Sequence, residues 1–184
     1  MTLLQVVTGK YQVCEKLRNG QSIIIRAIHS DDKAILIDEM KHLSRESKYF
    51  RFFTPKTSLT EAELVYFSEL DLIHHVGLLA SLVDDAGKES AAGFGRYIVI
   101  NEESRPISAE LAFEVREECQ GLGIGTLLLQ QLMAIGRSAG IEEFVAYVLC
   151  ENRKMLDVFE HMQGPFFKEL IPGGVLTIRI PLTH

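Results

Sequence analysis

Residues 115–128 read VREECQGLGIGTLL, where three alternating glycines, Gly121, Gly123 and Gly125, lead directly into a leucine-rich run. Glycine lacks a Cβ and tolerates positive φ, so such a cluster marks a place where something approaches the main chain closely. The stretch before it, ISAELAFEV, has the composition of a strand. The stretch after it, GTLLLQQLMAIGRSAG, reads as a helix closed by Gly140, after the usual glycine C-cap. N–H groups at a helix start lack intrahelical partners, and the helix dipole adds partial positive charge there. A strand that turns through bare backbone into a helix is therefore a natural seat for phosphate.

The other elements fit around this turn. YQVCEKLRNGQSIIIRAI has two runs about Asn19-Gly20, a dipeptide suited to a tight hairpin, and predicts strands near 11–17 and 22–28. Asp31 or Asp32 is expected to cap the helix DDKAILIDEMKHL, whose Ile35, Ile37, Met40 and Leu43 recur at near-helical spacing. Thr60 and Glu63 form a capping box for the helix TEAELVYFSEL. HHVGLLASLV and SAAGFGRYIVI, joined by DDAGKE, read as paired strands. EEFVAYVLC follows as a strand, ENRKMLDVFEHM as a helix, and GPFFKEL and GGVLTIRI as closing strands. This order predicts an α/β (α+β) fold: a single mixed central β-sheet covered by helices on both faces, with an N-terminal β-hairpin. One domain is expected over residues 1–184, with 1–20 as an N-terminal extension and first hairpin strand.

Composition narrows the function classes. The formal net charge is −6, so no sequence-wide basic field exists to hold nucleic acid or anionic lipid. No apolar run approaches the roughly 18 residues that a membrane-spanning helix requires. The start, MTLLQVVTGKYQ, lacks the basic n-region of a signal peptide. Cys14, Cys119 and Cys150 are odd in number and form no C-x-x-C pair, which suggests neither a disulfide framework nor a metal site. A cytoplasmic protein with no metal is expected.

Two familiar phosphate loops fail the spacing test. The P-loop requires G-x-x-x-x-G-K-[ST], and no Lys-Ser or Lys-Thr follows here. In the dinucleotide fingerprint G-x-G-x-x-G, the sixth position would be Thr126 or Leu128. What fits is Gln120-x-x-Gly123-x-Gly125, which resembles the acyl-CoA pyrophosphate loop of the GNAT superfamily of N-acetyltransferases, [Arg/Gln]-x-x-Gly-x-[Gly/Ala]. The element order matches that family over most of the chain. The competing explanation is a glycine-rich turn packed closely on a neighbouring helix, which accounts for one or two glycines but poorly for three plus Gln120. The resemblance implies a GNAT fold and acetyl-CoA as cosubstrate. Its pyrophosphate would be held by the N–H groups of Gly121, Leu122, Gly123, Ile124, Gly125 and Thr126, in the loop opened by Gln120. It also implies that Phe113, Glu114 and Val115 offer a strand edge, opened by a bulge, to the pantetheine amides and thioester. Asn152 matches an Asn that often contacts the cofactor. Phe159 stands where many members carry a Tyr that protonates the departing thiolate, so that acid is missing here.

A narrower set of segments, LRNGQSIIIRAIHSDD, LSRESKYFRFFTPKTSLTEAEL, AELAFEV and VLCENRKMLDVFEHM, is similar to the acetyltransferase domain of bacterial Pat-type protein lysine acetyltransferases. Those enzymes silence acyl-CoA synthetases by acetylating an active-site lysine. Some carry a cyclic-nucleotide or nucleotidyl-ligase-like domain, which this chain is expected to lack. The implied partners are acetyl-CoA and a protein with an accessible lysine, such as an acyl-CoA synthetase. The enzyme itself is expected to be a monomer or homodimer.

Acetyl transfer to an amine needs a base, because a lysine with a pKa near ~10.4 is mostly protonated at neutral pH. It also needs a donor for the developing oxyanion. The resemblance places the base at Glu110, in AE-x-AF-x-V. Glu114 shares its strand face without that match. His74 and His75 are weaker candidates, and Cys119 and Cys150 lack an activating neighbour and read as apolar fillers. Arg51, Phe52 and Phe53 are candidates for the acceptor entrance. Two other readings stay open: an N-acetyltransferase of a small amine (polyamine, amino acid or aminoglycoside), and a non-catalytic acyl-CoA-binding module.

Overall fold

The computed structural model describes residues 3–4, 6–42, 45, 48, 57–103 and 105–182. The Asn19-Gly20 turn joins β1 (Gln12–Lys16) and β2 (Ser22–Ala27), with Gly20 at φ 84°. Chain order then runs α1 (Lys33–His42), α2 (Glu61–Ser68), β3 (His75–Val83), β4 (Glu89–Asn101), β5 (Ser108–Val115), α3 (Ile124–Ala139), β6 (Glu143–Leu149), α4 (Arg153–Glu160), β7 (Phe167–Ile171) and β8 (Val175–Pro181). Among the described residues the eight strands form one sheet in the order β1-β2-β3-β4-β5-β6-β8-β7. All neighbours pair antiparallel except β5 and β6, which are parallel.

Local signals explain most boundaries. Thr60 accepts from the Glu63 N–H while Glu63 reaches back to the Thr60 N–H, completing the expected capping box. Gly140 ends α3 in the left-handed conformation at φ 96°. Neither Asp31 nor Asp32 is an N-cap, however. A 3-10 turn over Ser30–Asp32 precedes α1, and Asp32 accepts from the His29 N–H at 2.7 Å while pairing with Arg26. Arg26 of β2 and the His29 N–H hold the buried carboxylate at this turn instead of at the start of α1.

Helices cover both faces. Leu128 and Leu132 of α3 pack on β4, where a Cβ on Gly95 would lie only 3.0 Å from the Leu132 Cδ1. Phe94, between Gly93 and Gly95, packs on the other side with Leu79, Leu36 of α1 and Leu64 of α2. Small residues at 93 and 95 thus admit α3, and alternation sends Phe94 to the opposite layer.

One departure from regular pairing positions the site. β5 and β6 pair only at Ser108–Glu143, Ala109–Phe144 and Glu110–Val145. Beyond Glu110 they separate, although β5 runs on to Val115 and β6 to Leu149. The bulge expected in β5 is not there: its pairing with β4 is continuous from Val99–Ala109 to Gly93–Val115, and the irregularities lie in β4. Divergence of β6 opens the edge instead.

Candidate active site

The loop between β5 and α3 is held open by conformation and packing. Gly121 and Gly123 adopt φ of 77° and 90°, the left-handed region in which side chains are strained. Gly125 serves another purpose: a Cβ there would meet Val158 Cγ2 at 3.2 Å and Phe113 Cε2 at 3.6 Å. Close packing therefore accounts for one glycine, and backbone conformation for the other two.

These torsions leave a row of donors. Cys119 and Gln120 N–H groups bond the Arg116 and Glu117 carbonyls, and the next such donor is Leu127, bonded to Gly123 at 3.1 Å. The N–H groups of residues 121–126 have no acceptor among the described residues, and Gly123 gives α3 no side-chain cap. Donors at the start of a 16-residue helix, with its dipole behind them, suit an anion.

They border a cleft of about 640 Å³. It brings together Phe113, Val115, Gln120, Gly121, Gly123, Ile124, Gly125, Thr126 and Asn152 from the residues singled out in the sequence. Leu122 instead packs against the core. Phe159 is 1% exposed and lies behind the cleft wall, its ring 5.6 Å from that of Phe113. The Asn152 side-chain oxygen is engaged as N-cap of α4, accepting from the Met155 N–H at 3.1 Å. Gln120 donates from Nε2 to the Val115 carbonyl at 3.0 Å and accepts from Lys154 Nζ at 2.6 Å.

Sequence reasoning missed the cations. Arg18, from the β1–β2 turn, lines the cleft with its Nε 3.9 Å from where a Cβ on Gly123 would lie, and Lys154 and His161 line it from the α4 side. Arg18 is remote in sequence, so no local pattern marked it. Lys154 was visible two residues after Asn152, but its spacing carries no signal.

The β5 edge completes the arrangement. Arg116 N–H bonds the Ala92 carbonyl on the β4 side, so by alternation Leu111, Phe113 and Val115 direct their main-chain groups towards the gap left by β6. The Val115 carbonyl, taken by Gln120, agrees with this direction. Glu110 sits at the vertex, half-buried, and among the described residues no hydrogen bond or ion pair engages its carboxylate. Its face also carries Ala112 and Glu114, whose side chains point away from the cleft. Ala112 there lines a small cavity of about 40 Å³ with Phe67, His75 and Arg96. The fork thus lies between a donor-lined cleft and an aromatic pocket on opposite faces of the sheet.

A buried acid near the fork also escaped notice. Glu39 of α1 is 2% exposed, and burial pushes its carboxyl up from 4.5 to about 7, with Glu114 contributing, although an ion pair to Arg116 opposes the shift. Its spacing with Leu36 and Met40 was the available signal, since all three are buried on one helix face.

The remaining candidates are dispersed. His74 is exposed between Asp71 and Glu102, at 3.1 and 3.3 Å. Cys119, by contrast, lines the cleft, where burial raises its thiol. Arg51, Phe52 and Phe53 lie outside the described residues. Among the described residues no helix is long and apolar enough to cross a membrane.

Comparison with known proteins gives a consistent picture. Residues 37–164 match the Acetyltransferase (GNAT) family. The acetyltransferase PA5475 of Pseudomonas aeruginosa is 26% identical over 152 residues, covering 83% of this chain and 79% of that protein. Acetyltransferase Pat of Mycolicibacterium smegmatis is 27% identical over 168 residues, 88% of this chain but 46% of that protein. This chain therefore spans under half of that relative's length. The crystal structure of the GNAT domain of S. lividans PAT superposes with a TM-score of 0.81 at 31% identity, covering 92% of this chain and 96% of that domain.

Proposed function

The chain belongs to the GNAT family of acetyltransferases, which use acetyl-CoA, and from that premise we propose that it acetylates the ε-amine of a lysine on a protein, with Glu110 as general base. The observation that carries the acceptor class is the likeness to the GNAT domain of S. lividans PAT over nearly the whole of both chains. An acyl-CoA synthetase is the protein acceptor that the Pat-type resemblance favours.

Acetyl-CoA supplies the activated acetyl group. In this reading the N–H groups of residues 121–126 hold the pyrophosphate, and Arg18 and Lys154 offset its charge. Main-chain N–H groups of Leu111 or Phe113 donate to the oxygen on which charge develops as the amine attacks. Glu110 takes the proton from the ammonium. A base so placed contributes ~10²–10⁴-fold. Phe159 has no proton to give, so the departing thiolate draws one from solvent or from another side chain.

A small polyamine acceptor calls for several carboxylates around each ammonium. Several members of the chain's acidic pairs are engaged elsewhere. Asp32 pairs with Arg26, Glu142 with Arg105 and Glu143 with Arg179, while Asp84 accepts from the Ala86 and Lys88 N–H groups of its turn. This favours a protein acceptor. The test offers purified acyl-CoA synthetases and a panel of small amines with acetyl-CoA, following thiol release and acceptor mass. Lysine acetylation of a synthetase is expected. Robust turnover of spermidine or an aminoglycoside with no acetylated protein would overturn the acceptor class.

A further inference from the structure

We infer that Asp38 and Glu39 of α1, acting through Arg116, are positioning residues for the loop 117–126, so that the helix on the acceptor side helps to set cofactor affinity. The inference rests on the cofactor reading above.

Glu39 shares a buried helix face with Leu36 and Met40, a position where an apolar residue would ordinarily stand. Taking a carboxylate out of water costs several kcal/mol unless a partner compensates. The partner is Arg116, whose side chain is 11% exposed; its Nε donates to Glu39 Oε2, and its Nη2 donates to Asp38 Oδ2 at 3.2 Å. The other Glu39 oxygen is buried with no hydrogen-bond partner among the described residues.

Arg116 occupies the point where β5 ends and the loop begins. Its N–H bonds the Ala92 carbonyl and its carbonyl accepts from the Cys119 N–H, both at 2.9 Å. Val115, one residue earlier, lines the cleft and takes the Gln120 amide. The guanidinium therefore ties α1 to the pivot from which the donor row springs. Leu36, one turn before Glu39, lines the small cavity on the opposite face. One helix thus touches both sides of the fork.

The charged and titratable groups bearing on Glu39 among the described residues are Arg116 and Glu114 from the end of β5, Glu118 and Cys119 from the following turn, and Asp38 on its own helix. With its carboxyl raised to about 7, Glu39 is ionised and paired with Arg116 through Oε2 at pH 8.5 and gains a proton as pH falls towards 6.

The test is calorimetric titration of CoA into wild type, Glu39→Gln, Arg116→Ala and Arg116→Lys at pH 6 and 8.5, with melting curves to confirm folding. At pH 8.5 Glu39→Gln and Arg116→Ala should weaken binding by about tenfold, the effect of losing one charge-assisted hydrogen bond. Arg116→Lys should recover part of the loss. At pH 6 the ratio of Glu39→Gln to wild type should fall towards one, because wild-type Glu39 is then protonated too. Titration of CoA itself affects both proteins alike and cancels in the ratio. A folded Glu39→Gln with wild-type affinity at pH 8.5, or a ratio that does not change with pH, would overturn the inference. Wild type that binds no CoA would instead refute the cofactor reading, before any variant is compared. Absence of lysine acetylation leaves this binding test unaffected.

Discussion

Glu110 faces Val145 in the last register pair before β5 and β6 separate. The carboxylate therefore stands where the strand edge first becomes available, at the junction between the donor-lined cleft and the opposite face. Replacing Glu110 with Gln should lower kcat by roughly 10²-fold or more while leaving CoA affinity nearly intact, because the change removes a proton acceptor and little volume. The loss should shrink as pH rises and free amine becomes plentiful. Steady-state rates between pH 7 and 10 check this. An unchanged rate at neutral pH would shift the role to another group.

Gln120 joins the end of β5 to α4 by donating to Val115 and accepting from Lys154. Gln120→Ala severs both links, and Lys154→Met also removes a cation from the cleft. Each should weaken CoA binding by about tenfold, in line with one charge-assisted hydrogen bond. The dependence of affinity on salt should flatten for Lys154→Met but not for Gln120→Ala, since screening acts on charge. Titrations at two ionic strengths separate the two.

The loop glycines should respond differently to alanine. At φ 90°, Gly123→Ala forces a left-handed side chain and costs roughly 1–2 kcal/mol of stability. Gly125→Ala adds a methyl 3.2 Å from Val158 Cγ2, a contact that a small shift of α4 relieves. Thermal melting should rank Gly123→Ala as the more destabilised.

Glu39 also makes stability depend on pH. Its folded-state value is raised from 4.5 to about 7, so the native state keeps a proton that the unfolded chain has released over that interval. Its contribution to stability is fully present below about 4.5 and is lost as pH rises through about 7. The Tm of wild type relative to Glu39→Gln should therefore fall between pH 5 and 8. A constant difference would contradict the raised value.

Local chemistry carried most of the fold into view. Asn19-Gly20, the Thr60–Glu63 box and the C-cap Gly140 each act over a few residues, and each element formed where they placed it. The donor loop was legible for the same reason. Contacts between distant segments were not. Arg18 reaches the cleft from the first hairpin, and Arg116 finds Glu39 across 77 residues. The separation of β5 from β6 belongs to this second kind, because it depends on where two strands diverge and not on a bulge within one.

The central claim is that bare main-chain donors at residues 121–126 hold the pyrophosphate of acetyl-CoA. Its most direct test is calorimetric titration of CoA into wild type and Gly123→Asp, both confirmed as folded. The added carboxylate would stand among the N–H groups, blocking them and repelling phosphate. Wild type should bind and Gly123→Asp should show no measurable binding, whereas wild-type affinity in the variant would contradict the assignment.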